Sequence, residues 1–380
     1  MARLNRFIHI PARAQRPKGR RALAYFLLIA ATALAGCMRW DYPGIGNPVG
    51  EAAPEGVFVV CEGNFQYGNA TLAFYDPADD AVENEVFARA NGARLGDVAQ
   101  SMTIALDRGW VVVNNSHVVF AIDPDTFREV GRITGLTSPR YIHFIDPRKA
   151  YVTQLYDNRI FIVDPRTYSV TGHITVPGME SGDGSTEQIV ADPAGRYVYV
   201  NCYSYWNLIL KIDTATDTVV DMLEVGVQPR AMVMDRLGRL WVLTDGGYPG
   251  SPYAYEPPTL VRVDLDTFSV GLRLTFPLGT LATDLAINGA ADRLYFTADA
   301  LWEMPVTASE LPAEPLVPYA GTRYYALTVD PVRGDIYLAD AIDYQQPGVV
   351  YRYSAAGELL GQFRTGITPT AFCWKEAGGL

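Results

Sequence analysis

The chain has 380 residues, of which 49% are hydrophobic, 12% aromatic and 19% charged. This composition excludes an intrinsically disordered protein, because it supplies enough apolar side chains for a large core. The 42 acidic and 31 basic residues give a formal net charge of −11, which disfavours nucleic acid and anionic lipid surfaces as partners.

Residues 1–36 are predicted to be a lipoprotein signal peptide. They contain seven basic and no acidic residues and include an apolar run over residues 22–35. That run is shorter than the roughly 20 residues that a membrane-spanning helix needs. It leads into the lipobox LAGC, so we expect Cys37 to become the lipidated first residue of the mature chain. Without the seven basic residues, 24 basic side chains remain against 42 acidic ones, a formal charge of −18.

Residues 37–55 follow the signal and are rich in Gly and Pro, a composition that is typical of a flexible tether. With Cys37 they predict an outer-membrane lipoprotein that is held to the membrane through its lipid anchor only. The residues after Cys37 do not form a clearly acidic export tag. The cell surface is the favoured location, and the periplasmic side is the alternative because this tag is missing.

The stretch 141–176 shows how the rest of the chain is built. Short β-rich runs at 141–145, 150–155, 160–163 and 170–176 are separated by turn-forming Asp, Pro and Asn residues. Such runs are typical of a four-stranded antiparallel meander. One such sheet cannot bury both of its faces alone, so the pattern predicts further copies.

The third strand of this meander and the turn after it occur seven times along the chain. The anchor positions are Asp76, Asp123, Asp164, Asp213, Asp264, Pro305 and Ser354, the last two in degenerate copies. Successive anchors are 47, 41, 49, 51, 41 and 49 residues apart. This period is typical of a β-propeller, and it predicts an all-β fold of seven four-stranded antiparallel blades.

The two ends of the repeat array predict how the ring closes. The first copy starts at a second strand, residues 57–61, and lacks the innermost strand. The last copy is followed by an extra strand, residues 368–374, which aligns with the innermost strands of other copies. We therefore expect the C-terminal strand to complete the N-terminal blade, with the propeller over residues 56–375 and a tail over residues 376–380.

Cys61 and Cys373 fall on neighbouring strands of that closing blade, diagonal to each other. They predict either a disulfide latch or two unpaired thiols, because diagonal neighbours often exceed bonding distance. The mature chain has three cysteines besides Cys37, so at least one of them stays unpaired in either case.

One face of the predicted ring, the loop face, carries the loops that join second to third strands and the loops that join one blade to the next. Several of these loops are long and aromatic, whereas the turns of the opposite face are short and almost free of aromatics. Rigid aromatic side chains beside amides favour a site for a large, flat, partly apolar ligand. The alternative for any single tyrosine is that its ring packs between blades and has no part in binding. The predicted ligand-binding residues of these loops are Asn64, Phe65, Tyr67, Asn69, Asn115, Tyr156, Asn158, Tyr203, Tyr205, Trp206, Asp245, Tyr248, Tyr253, Tyr255, Tyr344 and Gln345.

Loops between blades add Arg140, Arg230 and Tyr324 to the predicted ligand-binding site. Arg140 and Arg230 occupy matching positions in their repeats, so both cations could point into the central channel. Solvated arginines, or structural arginines between blades, are the alternative.

Catalysis has little support in the sequence. No GxSxG, HExxH, Walker or CxxC pattern is present, and we predict neither a catalytic residue nor a metal site. Asp245, Asp299 and Asp340 end comparable second strands, and with His143 they could surround a channel metal as in propeller hydrolases. Asx turns at strand ends explain the same aspartates.

Over residues 57–374, the repeat FxVDPxTxxVxxxIxVG-PxxxxxDxxGxxYV resembles the YncE-like group of seven-bladed propellers. More narrowly, CEGNFQYGNATLAFYDP and DYQQPGVVYRY are similar to BtuG-like propeller lipoproteins of Bacteroidetes. This resemblance implies that a non-enzymatic protein binds cobalamin (vitamin B12) at its loop face and sits on a BtuB-like TonB-dependent transporter. Cobalamin would be the transported ligand and not a cofactor.

Functions of three classes follow from the sequence. The first is an outer-membrane lipoprotein that captures cobalamin or a related corrinoid and passes it to a TonB-dependent transporter. The second is a lactonase-like hydrolase or lyase with a channel metal, and the third is a scaffold that binds only protein. Binding of a bulky planar molecule without turnover would separate the first from the other two.

Overall fold

The computed structural model describes residues 49–377. The predicted signal peptide, the predicted lipidation site Cys37 and the predicted tether up to residue 48 lie outside the described residues, as do the last three residues of the tail. In the described part, no helix is long and apolar enough to cross a membrane.

The described residues form seven antiparallel sheets, and their strands are called inner, second, third and outer from the channel outward. In blade 1, β1 (Gly56–Cys61), β2 (Thr71–Asp76) and β3 (Ala81–Glu83) are the second, third and outer strands. Blade 2 contains β4 (Ala99–Ala105), β5 (Arg108–Val113), β6 (Val118–Ile122) and β7 (Glu129–Ile133). Blade 3 contains β8 (Pro139–Asp146), β9 (Lys149–Gln154), β10 (Arg159–Asp164) and β11 (Ser169–Thr175). Blade 4 contains β12 (Thr186–Ala191), β13 (Tyr197–Cys202), β14 (Leu208–Asp213) and β15 (Thr218–Glu224).

Blade 5 contains β16 (Pro229–Met234), β17 (Leu240–Thr244), β18 (Thr259–Asp264) and β19 (Ser269–Thr275). Blade 6 contains β20 (Ala282–Ile287), β21 (Arg293–Ala298) and β22 (Ala300–Pro305). Blade 7 contains β23 (Tyr324–Val329), β24 (Ile336–Asp340), β25 (Pro347–Tyr353) and β26 (Leu359–Ile367), and β27 (Pro369–Lys375) is the inner strand of blade 1. A short helix, α1 (Val86–Asn91), follows β3, and a 3-10 turn (Asn114–Ser116) joins β5 to β6.

The seven blades form a closed ring, as the repeat spacing predicted. Neighbouring inner strands contact each other all the way round, with β27 between β4 and β23. Antiparallel pairing joins β27 to β1 and places Val57 opposite Trp374. The C-terminal strand therefore supplies the inner strand that the first repeat lacks, and the predicted closure is confirmed.

Blade 6 has three strands where the other six blades have four. A single bridge between Leu301 and Val317 lies beyond its third strand, and no outer strand forms there in the described chain. The segment that would form the outer strand contains Pro312, Pro315 and Pro318. Because proline lacks the N–H that a ladder requires, this segment follows the blade as a loop.

The hydrophobic core lies between neighbouring blades. Seven clusters of buried apolar side chains are present, one at each of the seven blade interfaces. The second strand β1 is buried along its whole length, whereas the outer strand β11 alternates between exposed and covered residues. Strands that are covered on both faces consist of continuous apolar residues, as β1 with the sequence GVFVVC does.

Local hydrogen bonds explain the recurrent aspartates of the repeats. The Asp164 carboxylate accepts the Arg166 N–H at 2.9 Å, and that of Asp123 accepts the Thr126 N–H at 2.8 Å. In the turn between the inner and second strands of blade 7, the Asp330 carboxylate accepts the N–H groups of residues 332 and 333, each at 2.8 Å. These are Asx turns, so the repeated Asp-Pro pattern reflects turn geometry.

Cys61, Cys202 and Cys373 are free thiols. The β1–β27 register places Cys373 opposite Phe58 and Cys61 opposite Pro369, so the two cysteines of the closing blade are not neighbours in the ladder. The Cys61 Sγ lies 3.3 Å from the Thr365 Oγ1. Of the two alternatives for Cys61 and Cys373, the structure shows unpaired thiols and no latch.

The last seven residues of the predicted tether, 49–55, are attached to the body of the ring. The Ala52 N–H donates to the Asp125 carbonyl at 2.6 Å, and the Lys375 Nζ donates to the Ala53 carbonyl at 2.5 Å. Val49 and both alanines also pack against the core between blades 1 and 2. This part of the chain is therefore held in place, which differs from the prediction of a flexible tether as far as residue 55.

Candidate functional site

The loop face exposes most of the aromatic side chains that were predicted there. Phe65 and Tyr67, in the first loop, are 62% and 75% exposed. The other exposed members are Tyr156, Tyr205, Tyr248, Tyr253, Tyr255 and Tyr344, and we call these eight residues the aromatic rim. Large apolar side chains in water are costly unless a partner covers them, so this concentration on one face marks a candidate binding surface.

Tyrosines from blades 3, 4 and 5 form a cluster within the aromatic rim. The rings of Tyr205 and Tyr253 stack with their centroids 4.0 Å apart and an interplanar angle of 21°. Tyr248 and Tyr156 lie near this stacked pair. Because of their proximity, the phenols of Tyr248, Tyr253 and Tyr156, together with slight burial, raise the pKa of Tyr205. Stacked, exposed rings present a flat apolar surface with hydroxyl groups at its edge.

Three rim tyrosines occupy left-handed backbone conformations. The φ angles are 63° at Tyr156, 67° at Tyr205 and 60° at Tyr344. This conformation is unfavourable for a bulky side chain and is usually reserved for Gly or Asn. The surrounding loops therefore hold these three rings in defined positions.

The rim is continuous across the closure of the ring. The Asn64 side-chain amide of blade 1 donates to the Tyr344 carbonyl of blade 7 at 2.5 Å. The Tyr344 ring then meets the Tyr325 ring edge-on, with centroids 5.7 Å apart. Tyr325 belongs to the channel, so the rim and the channel share a boundary at this point.

The second residue of every inner strand points into the channel. In all seven blades the pairing register between inner and second strands slips at this residue, which leaves it outside the ladder. A β-bulge of this kind redirects a side chain. The seven residues are Thr370, Gln100, Arg140, Glu187, Arg230, Thr283 and Tyr325. All of them line a cavity of about 350 Å³ at the channel mouth, which we call the channel cavity.

Both predicted channel arginines lie in this cavity, and each is already neutralised. The Arg140 Nε lies 2.8 and 2.9 Å from the two carboxylate oxygens of Glu187, and an Nη donates to Gln100 at 2.5 Å. Arg230 donates to the Thr283 carbonyl at 2.5 Å and to the Tyr203 hydroxyl at 3.1 Å.

The predicted site residues Tyr203 and Asp245 belong to the same channel network. The Tyr203 hydroxyl donates to the Asp245 carboxylate at 2.8 Å, and that carboxylate lies 3.8 Å from Arg230. Burial raises the pKa of Tyr203 to about 12 and also raises the pKa of Asp245. Tyr203 therefore acts as a neutral link between the arginine and the carboxylate.

Two further carboxylates face the cavity without a cation partner. Glu62 receives the Tyr325 hydroxyl at 3.3 Å, and Asp284 receives the backbone N–H groups of Leu285 and Leu327, each at 2.8 Å. Burial raises the pKa of Glu62, and it raises that of Asp284 to about 6. No ion pair within 4.0 Å involves either carboxylate among residues 49–377.

The raised pKa of Asp284 predicts a pH dependence of stability. The folded protein holds this proton more tightly than the unfolded chain, where the pKa has its ordinary value of 3.8. The stability contributed by the neutral carboxyl is therefore present below pH 3.8 and is lost as the pH rises through 6. Relative to Asp284→Asn, which cannot titrate, the native free energy of unfolding should fall by about 3 kcal/mol across this range.

Urea unfolding of both proteins at a series of pH values measures this difference. Asp221→Asn is the control, because Asp221 is an exposed residue of an outer strand. Its difference from the native protein should stay flat between pH 3 and 7, two values chosen to lie below 3.8 and above 6. Parallel curves for Asp284→Asn and the native protein would contradict the prediction.

A smaller pocket of about 210 Å³ adjoins the channel cavity between blades 6 and 7. Tyr324, which was predicted to be a site residue, lines this smaller pocket, but it is only 5% exposed and packs in the core between these blades. The neighbouring Tyr325 faces the channel instead. Adjacent strand residues point to opposite sides, so a shift of one position exchanges the two roles.

The remaining predicted residues mostly hold the loops together. Asn69 donates to Asn64 at 3.2 Å and Asn115 donates to Asp97 at 2.5 Å. Other bonds run to backbone carbonyls: Asn158 donates to Met179 at 3.1 Å and the half-buried Trp206 donates to Asp183 at 3.3 Å. The Gln345 side chain is exposed at the loop face.

The aspartates of the enzymatic alternative bind backbone N–H groups of the loop face. Asp245 accepts from Gly247 at 2.9 Å, Asp340 from Ile342 at 2.7 Å, and Asp299 from Leu281 at 3.2 Å. Burial lowers the pKa of His143, which favours a neutral imidazole. Within residues 49–377, no group of three or more His, Cys, Asp or Glu side chains is placed to hold a metal ion.

Among the residues of the channel cavity that the sequence-based prediction missed are Glu62, Gln100, Glu187, Asp284 and Tyr325. Three of them are second residues of inner strands, equivalent to Arg140 and Arg230. An alignment of all seven inner strands would have identified these three. Glu62 directly follows a second strand, as Asp245 and Asp299 do, and Asp284 is the third residue of its inner strand.

Solved structures share the fold at low sequence identity. A quinonprotein alcohol dehydrogenase-like protein from Bacteroides thetaiotaomicron superposes with a TM-score of 0.65 at 14% identity, covering 84% of this chain and 78% of that one. The β-propeller domain of Cps50 (Swd1) from Myceliophteria thermophila gives 0.60 at 9% identity, covering 80% and 99%. Hydrazine synthase from Kuenenia stuttgartiensis gives 0.58 at 15% identity, covering 72% and 89%. At these identities the likeness concerns the fold alone.

The sequence matches no curated protein. It does match a family over residues 55–290, which is more than half of the chain. The chain therefore belongs to the family described as domain of unknown function DUF5074.

Proposed function

We propose that this protein is a non-enzymatic lipoprotein of the outer membrane that captures cobalamin or a related corrinoid. It binds the ligand on its loop face and passes it to a TonB-dependent transporter. The proposal combines the aromatic rim with the resemblance to BtuG-like lipoproteins. Neither the family description nor the structural neighbours name a ligand for this chain.

The observation that carries the proposal is the aromatic rim around the mouth of a polar channel. The stacked Tyr205 and Tyr253 provide a flat exposed surface, and Phe65, Tyr67 and Tyr344 continue it around the ring. Small-molecule sites combine apolar or aromatic walls with a few placed polar groups. A corrin macrocycle is broad, nearly flat and carries many amide groups, so both parts of this surface match its chemistry.

Co-elution with cyanocobalamin tests the proposal. The purified full-length chain in mild detergent is mixed with cyanocobalamin and passed over a desalting column, and the visible absorbance of the protein fraction is read. We expect one corrin per chain and unchanged cyanocobalamin on recovery. A colourless protein fraction would overturn corrinoid capture, and chemical conversion of the ligand would overturn the non-enzymatic assignment.

The membrane location gives an independent prediction. Cys37→Ser removes the predicted lipidation site, so most of the protein should move from the membrane fraction to the soluble fraction of the cells. Immunoblotting of the two fractions measures the change, and Cys202→Ser, a buried thiol in β13, is the matched control. Membrane association of the Cys37→Ser protein at the native level would contradict a lipid anchor.

Protease added to intact cells separates the two possible orientations. A chain on the cell surface should be cleaved, whereas a chain on the periplasmic side should stay intact until the outer membrane is opened. Surface exposure is the outcome that capture ahead of a transporter requires.

A further inference from the structure

The channel cavity is a second recognition element that lies directly beneath the aromatic rim. Its volume of about 350 Å³ falls within the range of small-molecule pockets, about 300–1,000 Å³. Tyr203 lines the cavity and precedes the rim residue Tyr205 in the same loop, and Tyr325 lines it while contacting the rim residue Tyr344. A ligand that covers the rim therefore also covers the cavity mouth, and one of its side arms can enter.

The charges of the cavity do not favour an anionic arm. Arg140 is bound by both carboxylate oxygens of Glu187, and Arg230 lies 3.8 Å from Asp245. With both guanidinium groups compensated, the charges that remain are the carboxylates of Glu62 and Asp284. Bringing a third carboxylate into this buried space would place like charges together.

The oxygens of Glu62 and Asp284 also have unused capacity as acceptors. Each carboxylate oxygen can accept about two hydrogen bonds. The backbone supplies one donor to each oxygen of Asp284, and the hydroxyl groups of Tyr325 and Thr370 bond Glu62. Both groups can therefore accept further N–H donors from a molecule in the cavity.

We propose that the channel cavity is a subsite for a primary carboxamide arm of the ligand, whose NH₂ group donates to Glu62 or to Asp284. This inference rests on the proposed corrinoid capture and adds a rule of selectivity to it. The apolar stem of such an arm would pass Tyr203, Tyr325 and Phe372, which also line the cavity. An arm that ends in a carboxylic acid would lack this NH₂ donor and would bring a negative charge into the cavity.

The test compares cyanocobalamin with its monocarboxylic acid derivatives, in which one peripheral carboxamide has been hydrolysed. Binding is measured by titration calorimetry with the full-length chain in detergent at pH 8. At least one derivative, the one whose acid replaces the inserted arm, should bind at least about tenfold more weakly than cyanocobalamin. The other derivatives should bind nearly as well as cyanocobalamin, since their acids remain outside the cavity.

Two variants then assign the effect to the cavity. In Glu62→Gln and in Asp284→Asn, the affinity ratio between cyanocobalamin and the discriminated acid should fall toward one, because a negative neighbour of the arm has gone. Asp183→Asn is the matched control, since Asp183 is an exposed carboxylate of the loop face outside the cavity, and it should keep the native ratio. Thermal melting shows which variants are folded. The comparison of cyanocobalamin with its acid derivatives on the native protein does not depend on any variant.

The outcomes separate this inference from the proposed function. If cyanocobalamin binds and every acid derivative binds equally well, the carboxamide subsite is overturned and corrinoid capture stands. The subsite is likewise overturned, and capture retained, if folded Glu62→Gln and Asp284→Asn both keep the native ratio. If cyanocobalamin itself does not bind, both proposals fail.

Discussion

Removal of residues 369–380 is expected to prevent the ring from folding. The deletion takes away β27, which is the pairing partner of β1 and the contact between blades 1, 2 and 7. Phe372 and Trp374 pack into the core between blades 7 and 1, and the Trp374 ring meets the Tyr337 ring at 5.2 Å. Loss of a fully buried aromatic costs about 3–5 kcal/mol, and a typical protein has a total stability of only about 5–15 kcal/mol. These two rings are half-buried and contribute less than that each, but the deletion also removes all pairing between β27 and β1.

The deletion also leaves β1 as an open edge. This strand is buried along its whole length in the closed ring, so its apolar side chains and unpaired backbone groups would face water. We expect aggregated protein in size-exclusion chromatography and no cooperative melting by circular dichroism. Removal of residues 376–380 alone is the control, because Glu376 and Ala377 are exposed and belong to no strand. A monomeric 369–380 deletion that melts at the native temperature would show that closure is dispensable.

The double substitution Tyr205→Ala and Tyr253→Ala should weaken cyanocobalamin binding by about 100-fold. The stacked pair counts as one aromatic hot spot, whose truncation costs about 2 kcal/mol or more, and about 2.8 kcal/mol corresponds to a factor of 100. Both rings are largely exposed, at 46% and 59%, so their removal should leave the melting temperature almost unchanged. Titration calorimetry with the full-length chain measures the affinity.

Two further variants sharpen this second prediction. Tyr205→Phe with Tyr253→Phe keeps the stacked surface and should retain most of the affinity, since the rings and not the hydroxyls supply the flat contact. Leu237→Ala with Val332→Ala is the matched control: both side chains are exposed and apolar, at 54% and 82%, but lie in turns of the opposite face. Native affinity in the Tyr→Ala protein would remove this tyrosine cluster from the binding site.

Much of the loop face was predictable because its signals are local. Long loops with Tyr, Asn and Gly stand out against short Asx turns, and the structure exposes Phe65, Tyr67 and Tyr205 as expected. The sequence did not predict which single side chains are covered by their surroundings. Trp206 is half-buried and bonded to the Asp183 carbonyl, and Tyr324 lies in the core between blades.

The sequence by itself determined the blade, the number of blades and the closure. Strand length, apolar runs and Asx turns at residues such as Asp164 are set by hydrogen bonds and burial within about 50 residues. The same features recur in each repeat. The C-terminal strand could be assigned because it completes a unit that is visibly missing one strand. These features could be predicted from the sequence because they recur along the chain.

Only the tertiary structure decided which side chains of the channel cavity pair with one another. Arg140 and Glu187 are 47 positions apart, and Tyr325 and Glu62 are 263 apart, yet both pairs are bonded. Such contacts arise because a bulge in each inner strand turns one side chain toward a common axis, where seven blades meet. The charge balance at that axis depends on all blades at once, so no local pattern in the chain specifies it.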